Sequence, residues 1–276
     1  MFTAEERTWV RSDLLDRASR DLRISGAAIT GSGAAEREDR WSDIDLAFGV
    51  VESADVQEVL ADWTACLYDR HQALHHLDVK TGDWIFRVFL LPGTLQVDLA
   101  FVPETEFRPL VPTFRLVFGR AKEEASFPTP SVGATIGFGW LYALHARSCI
   151  ARQKWWQAEY MISGIRDSAL ALACIRSGLP SVHGRGLDLL PREALNQYED
   201  SLVRRIQADE LWRAFDAAVR ALLNEIASAD AVLAGRLRGT MLQLVRTPGR
   251  SGSEDRPDGA RAASDICDPP RGWEGR

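Results

Sequence analysis

Apolar and polar positions recur along this chain with two different periods. Over residues 3–23, Trp9, Val10, Leu14 and Leu15 fall at helical spacing, and Thr3 followed by Glu6 has the capping-box interval, so the pattern predicts an opening helix. The run ISGAAIT then predicts a strand ending at Gly31-Ser32-Gly33. After a polar turn, DIDLAFGV alternates carboxylates with apolar residues at period two and predicts a half-buried strand. A helical stretch near 53–68 leads to WIFRVFLL and TLQVDLAFV, two β-rich runs separated by Pro92-Gly93 in the manner of a hairpin.

From about residue 133 the period changes. Strand-like runs stop, and Ala- and Leu-rich segments of 3.6-residue periodicity continue to about 246. Gly178 and Pro180 stop the helix containing WWQAEYMISGIRDSALALACIRS, and Pro191 suits the first turn of the next. The expected fold class is therefore α+β: a mixed-sheet domain over 1–130, a helical bundle over 131–247 that binds substrate against it, and a disordered tail over 248–276, rich in Gly, Pro, Ser and charge. No internal repeat is visible.

Composition narrows the partners. The 33 basic and 39 acidic residues of the 276 give a formal charge of -6, the wrong sign for gripping nucleic acid by its phosphates, so a small or cationic partner is expected and nucleic acid is not. Cys66, Cys149, Cys174 and Cys267 are too scattered for a disulfide framework or a zinc site and read as reduced thiols. The charged N-terminus lacks an apolar signal core, and no stretch of about 18 apolar residues occurs. These features predict a cytoplasmic protein without a membrane partner.

The candidate chemistry lies in three aspartates. Asp43 and Asp45 flank Ile44 on a predicted strand, which points both carboxylates to one face, and Asp98 in LQVDLAFV suits a neighbouring strand. At an effective dielectric near 20, unit charges about 4 Å apart repel by roughly 4 kcal/mol, so such a cluster either takes up protons or binds a cation. Hard oxygen ligands favour magnesium, which completes its shell with waters and substrate phosphates. Gly31 lets backbone amides approach phosphate oxygens, and the Ser32 hydroxyl adds a donor.

Gly31-Ser32, ten intervening residues and Asp43-Ile44-Asp45-Leu46, followed by Asp98, resemble the signature of the DNA polymerase beta-like nucleotidyltransferase superfamily. The resemblance implies that Asp43 and Asp45 bind two magnesium ions, that Asp98 assists one of them or deprotonates the acceptor, and that ATP is the donor. The helical half resembles the antibiotic-modifying branch, the aminoglycoside and lincosamide nucleotidyltransferases, which implies transfer of AMP to a hydroxyl of a small, aminoglycoside-like acceptor with release of pyrophosphate. A homodimer is compatible with it. Many members carry a basic residue directly after Gly-Ser where this chain has Gly33, so phosphate contacts fall to Arg37, Arg40 or a residue of the helical half such as Arg166. Two other functions fit the same motif: a nucleotidyltransferase acting on a protein partner, as antitoxins of this class do, and a degenerate nucleotide-binding module.

The remaining signals are less specific. Glu159, Ser163, Arg166 and Asp167 form one polar helical stripe, and in some antibiotic-modifying relatives a glutamate of the helical domain is the general base, so Glu159 competes with Asp98 for that role; a solvated ion-paired face explains the stripe equally well. Trp155 and Trp156 suit packing better than base stacking. His75 and His76 lack any ligand pattern and read as exposed or hydrogen-bonded. Arg176 and His183 loosely match the motif of HEPN ribonucleases, but Gly178 and Pro180 interrupt the spacing, and HGRGLDLLP reads as an interhelical loop.

Overall fold

A computed structural model describes residues 1–110, 112–123 and 131–246. Contacts divide the chain into two compact units, with the boundary in sequence between Pro128 and Thr129. The tail expected over 248–276 lies outside the described residues. The architecture is α+β, a mixed six-stranded sheet in the first unit and a helical second unit.

Helix α1 (Ala4–Arg20) opens with the full capping box, Thr3 Oγ1 accepting from the Glu6 amide and the Glu6 carboxylate accepting from the Thr3 amide. Strand β1 (Ile24–Thr30) follows, then a single helical turn α2 (Gly31–Ala34), β2 (Ile44–Val50), α3 (Val56–His71), β3 (His75–Thr81), β4 (Trp84–Leu90), β5 (Gln96–Pro103) and β6 (Phe114–Phe118). The sheet order is β3-β4-β5-β2-β1-β6, with β2 and β5 parallel and the other neighbours antiparallel. The hairpin at Pro92-Gly93 is present as β4–β5, Gly93 taking φ 71°.

One sheet face is covered by α1 and α3. Leu14 and Ala18 of α1 and Leu60, Trp63 and Leu67 of α3 are buried against Ile29, Leu46, Phe48, Leu99 and Phe101. Phe48, Trp63 and Phe101 form an aromatic centre with centroids 4.8–5.7 Å apart, and the Trp63 indole donates to Asp21 Oδ2 at 3.1 Å. The other face carries a smaller cluster in which Phe107 and Trp84 cover Ala28, Ala47 and Ala100. Strand β2 is consequently buried at every position except Asp45, more than its alternation predicts, because small apolar side chains lie under Phe107 where an open face would carry polar ones.

The second unit contains α4 (Val132–Ala151), α5 (Trp155–Arg176), α6 (Arg192–Glu199), α7 (Ala208–Ala229) and α8 (Ala231–Leu244). Gly139 permits close packing on Leu222 and Gly164 on Tyr142, since a Cβ at either glycine would approach side-chain carbons at 2.8 Å. Gly178 follows the end of α5 at φ 67°, the left-handed residue that stops the helix. Pro191 caps α6 from just outside, where its first turn was expected. Buried Glu225 of α7 accepts from Arg176 at 3.0 and 3.1 Å and from the Tyr198 hydroxyl at 2.7 Å.

Candidate active site

The three aspartates converge. Each of Asp43, Asp45 and Asp98 offers a carboxylate oxygen within 4.8 Å of the other two, and all three are partly exposed. The register explains why: Asp45 and Asp98 are direct partners on the parallel strands β2 and β5, so their side chains leave the same sheet face side by side. Strand β5 is an interior strand between β4 and β2, so Asp98 is not a charge guarding a sheet edge. Asp43 sits just before β2 and joins its neighbours from the end of the 35–43 loop. Gln96 Nε2 donates to Asp43 Oδ2 at 3.3 Å and to Asp98 Oδ1 at 3.0 Å, bridging two anions with one neutral amide.

Gly31 stands against this cluster. Its φ is +60°, and a Cβ built there would sit 2.9 Å from Asp45 Cγ and closer still to the carboxylate oxygen Oδ2, so only glycine lets the turn after β1 pass beside Asp45. The next residue, Ser32, has its Oγ shielded from solvent with no hydrogen-bond partner. A shielded hydroxyl left unsatisfied costs free energy that a ligand oxygen would recover. Arg115 of β6 reaches the same turn, donating to the Gly33 carbonyl at 3.4 Å.

The loop that delivers Asp43 is tied to α1. Buried Arg7 donates through Nη1 to the carbonyls of Asp39 and of Ser42, the latter at 3.1 Å, while Arg11 pairs with Glu38 at 2.5 Å. Asp39 accepts from the Trp41 amide at 2.8 Å and the Ser42 hydroxyl at 3.1 Å, and the Trp41 amide and neighbouring backbone hold its carboxyl below the usual range. Arg40, expected on phosphate, lies over the Trp41 ring at 4.3 Å. The hydrogen bonds of Arg7 to Asp39, of Gln96 to Asp43 and of Arg115 to Gly33 carry no local sequence signal, because each spans 32 or more residues.

Glu159 and Arg166 lie on α5 in the second unit. Glu159 accepts from Ser163 Oγ at 2.7 Å, and Arg166 pairs with Asp167 at 3.3 Å, so the predicted polar stripe is knit by its own neighbours. Trp155 packs partly on the helical core and Trp156 is exposed. His76 bonds the Tyr68 hydroxyl at 3.0 Å and His75 is exposed. Arg176 is engaged by Glu225, while His183 is an exposed loop residue at φ 55°. The three cysteines among the described residues are free, and no helix there is long and apolar enough to cross a membrane.

Hard anionic oxygens at this spacing suit a hard divalent cation. At an effective dielectric near 20, each pair of full charges 4.8 Å apart repels by about 3.5 kcal/mol, which a bound cation turns into attraction. No protein-family model and no curated protein matches the sequence. Among solved structures, an aminoglycoside 6-adenyltransferase from Bacillus subtilis aligns over 90% of this chain and 100% of its own, at TM-score 0.38 and 12% identity. A chain of the GLD-2/RNP-8 complex aligns over 81% of this chain and 77% of its own, at TM-score 0.28 and 14% identity. At these scores the likeness carries no functional weight, and the site speaks through its own residues.

Proposed function

We propose that this chain is a magnesium-dependent nucleotidyltransferase that moves AMP from ATP to a hydroxyl of a small, aminoglycoside-like acceptor and releases pyrophosphate. The observation that carries the proposal is the convergence of three carboxylates within 4.8 Å beside a glycine turn whose Ser32 Oγ has no partner. Asp43, Asp45 and Asp98 would hold the metal, and they fit it by donor type and spacing. When bound, magnesium neutralises the triphosphate and the leaving pyrophosphate.

The chain's own residues supply position and charge. Gly31 keeps the turn open against Asp45, and Ser32 Oγ donates to a phosphate oxygen. Arg115 adds a cation beside the same turn, alongside the Arg37, Arg40 and Arg166 that the sequence offers for phosphate. The acceptor oxygen attacks the α-phosphorus in line, the bond from that phosphorus to the bridging oxygen breaks, and pyrophosphate departs. Asp98 takes the acceptor's proton; Glu159 is the competing assignment for this step. The formal charge of -6 favours a cationic acceptor over a polyanionic one.

The test is mass spectrometry of reactions containing each nucleoside triphosphate, magnesium and a panel of aminoglycosides, lincosamides and metabolites. An acceptor heavier by one nucleoside monophosphate less water, formed by the wild type and not by Asp45→Asn, supports the proposal. Equal product from both proteins refutes the site.

A further inference from the structure

The sheet that carries the carboxylates continues past them into an exposed apolar strip. Register places Asp45, Asp98, Val88 and Leu77 in one row across β2, β5, β4 and β3, all on the same face. The flanking rows are Gln96, Leu90, His75 and Ala100, Phe86, Val79. Leu77 is 62% exposed, Leu90 46% and Val79 45%, and Val88 and Phe86 are partly exposed beside them.

Strand β3 is inverted relative to an ordinary half-buried strand. Its polar residues His76 and Asp78 point to the helical side, where His76 bonds Tyr68 of α3 and Asp78 pairs with Arg87, which also donates to Thr64 of α3. Its leucine and valine point outward, toward the face of the carboxylates. A contiguous apolar patch that abuts a polar cluster is the usual composition of a small-molecule site: apolar walls with a few placed polar groups.

In-line displacement decides what lies there. Gly31 and Ser32 follow β1, on one side of β2, whereas β5, β4 and β3 extend from the other side. With the phosphates held at the β1 turn, the nucleophile must arrive opposite the leaving group, over β5 and β4. We propose, resting on the transferase assignment above, that Leu77, Val79, Val88 and Leu90 receive the acceptor. The acceptor is then an amphiphilic alcohol that presents a ring or alkyl face beside its reactive hydroxyl, whatever charge it carries elsewhere.

The probe is a naphthyl ethanol, an apolar ring bearing a primary hydroxyl, titrated by fluorescence against the whole chain. The wild type, Leu77→Asp, Val88→Thr and Leu22→Asp are compared, Leu22 being an equally apolar residue at 94% exposure outside the strip. Leu77→Asp is expected to weaken probe binding about tenfold or more, Val88→Thr by less, and Leu22→Asp not at all. With magnesium and ATP, transfer to the probe should show a raised KM for the alcohol in Leu77→Asp and an unchanged KM for ATP. Magnesium-dependent ATP binding intact in all proteins, with probe affinity indifferent to Leu77→Asp, overturns the strip alone. Absence of such ATP binding in the wild type overturns the transferase assignment and the acceptor role with it. Concentration-dependent dimerisation abolished by Leu77→Asp, with no probe binding, gives the strip to a second copy of the chain and also overturns the proposal.

Discussion

Gly31→Ala isolates the contact between the turn after β1 and the carboxylate cluster. Alanine at φ +60° costs about 1–2 kcal/mol, because its Cβ crowds the following carbonyl in the left-handed region. The same Cβ overlaps the Asp45 carboxylate, 2.9 Å from Cγ, and turning that side chain off its rotamer adds about 0.5–1.5 kcal/mol. The expected destabilisation is therefore about 1.5–3.5 kcal/mol, read by urea unfolding without metal. The two parts separate in a double-mutant cycle: Asp45→Ala removes the overlapping carboxylate but not the backbone strain, so the pair should recover about 0.5–1.5 kcal/mol of the sum of the single changes. Displacing Asp45 should also weaken manganese binding, measured by electron paramagnetic resonance, by about 10–100-fold, the range seen when the groups that orient metal ligands are disturbed. Gly33→Ala is the contrast. Its Cβ would meet Ile29 Cγ2 at 3.1 Å and the ends of the Arg11 and Glu38 side chains at 3.3 and 3.4 Å, without left-handed backbone strain, so it should cost less than Gly31→Ala. Gly31→Ala with wild-type stability and wild-type manganese affinity refutes the packing described for this turn.

Asp43→Asn and Asp45→Asn should abolish transfer while apo thermal stability holds or rises, since each removes a charge from a repelling cluster; a fall in melting temperature with retained turnover contradicts this. Magnesium with ATP should raise the melting temperature by mass action and magnesium alone should do little, so an equal shift in excess chelator argues against a metal-bridged triphosphate. Asp98→Asn should weaken metal-triphosphate binding, whereas a rate loss of about 10²–10⁴-fold in Glu159→Gln at unchanged triphosphate affinity moves the base role to Glu159, as single-turnover measurements will show. Arg23 holds the Asp21 carboxyl down at about 2, from 3.8; a depressed folded pKa gives stability that is present above 3.8 and lost as pH falls toward 2, so Asp21→Asn should flatten that part of the acid unfolding curve.

Sequence was legible where the signal is local. The capping box of Thr3 and Glu6, the hairpin at Pro92-Gly93 and the period of α5 each depend on neighbours within a few residues. The carboxylate pattern was legible for the same reason, since Asp43 and Asp45 are two residues apart, although Asp43 lies at the end of the loop just before β2 and not on the strand that the alternation predicted. Strands β3 and β6 were not. HHLDVKT has apolar residues at only two positions and they face outward, and FRLVF is short and mostly exposed, so neither carries the apolar inner face that marks a strand packed on a core. The half-burial expected of β2 failed because Ala47 and Gly49 look neutral in sequence, and only the sheet brings Phe107 over them. The bridge from Gln96 to Asp43 and the anchoring of the loop by Arg7 escape sequence reasoning because they span 53 and 32 residues of chain.

The three carboxylates are placed by two different kinds of restraint, and the difference bears on what the site can do. Asp45 and Asp98 are fixed by ladder pairing along the whole of β2, inside a sheet whose opposite face is sealed by α1 and α3. Their mutual repulsion is opposed by backbone hydrogen bonds and apolar burial that exist with or without a ligand, so this pair is preorganised. Asp43 stands outside the ladder, at the end of a loop that Arg7 anchors by backbone carbonyls and Arg11 by Glu38. A loop held by side-chain hydrogen bonds yields more readily than a strand between two others. Under the proposed function, the rigid pair would fix the position of a cation, and the loop-borne Asp43 would be the ligand best able to adjust to a bound triphosphate.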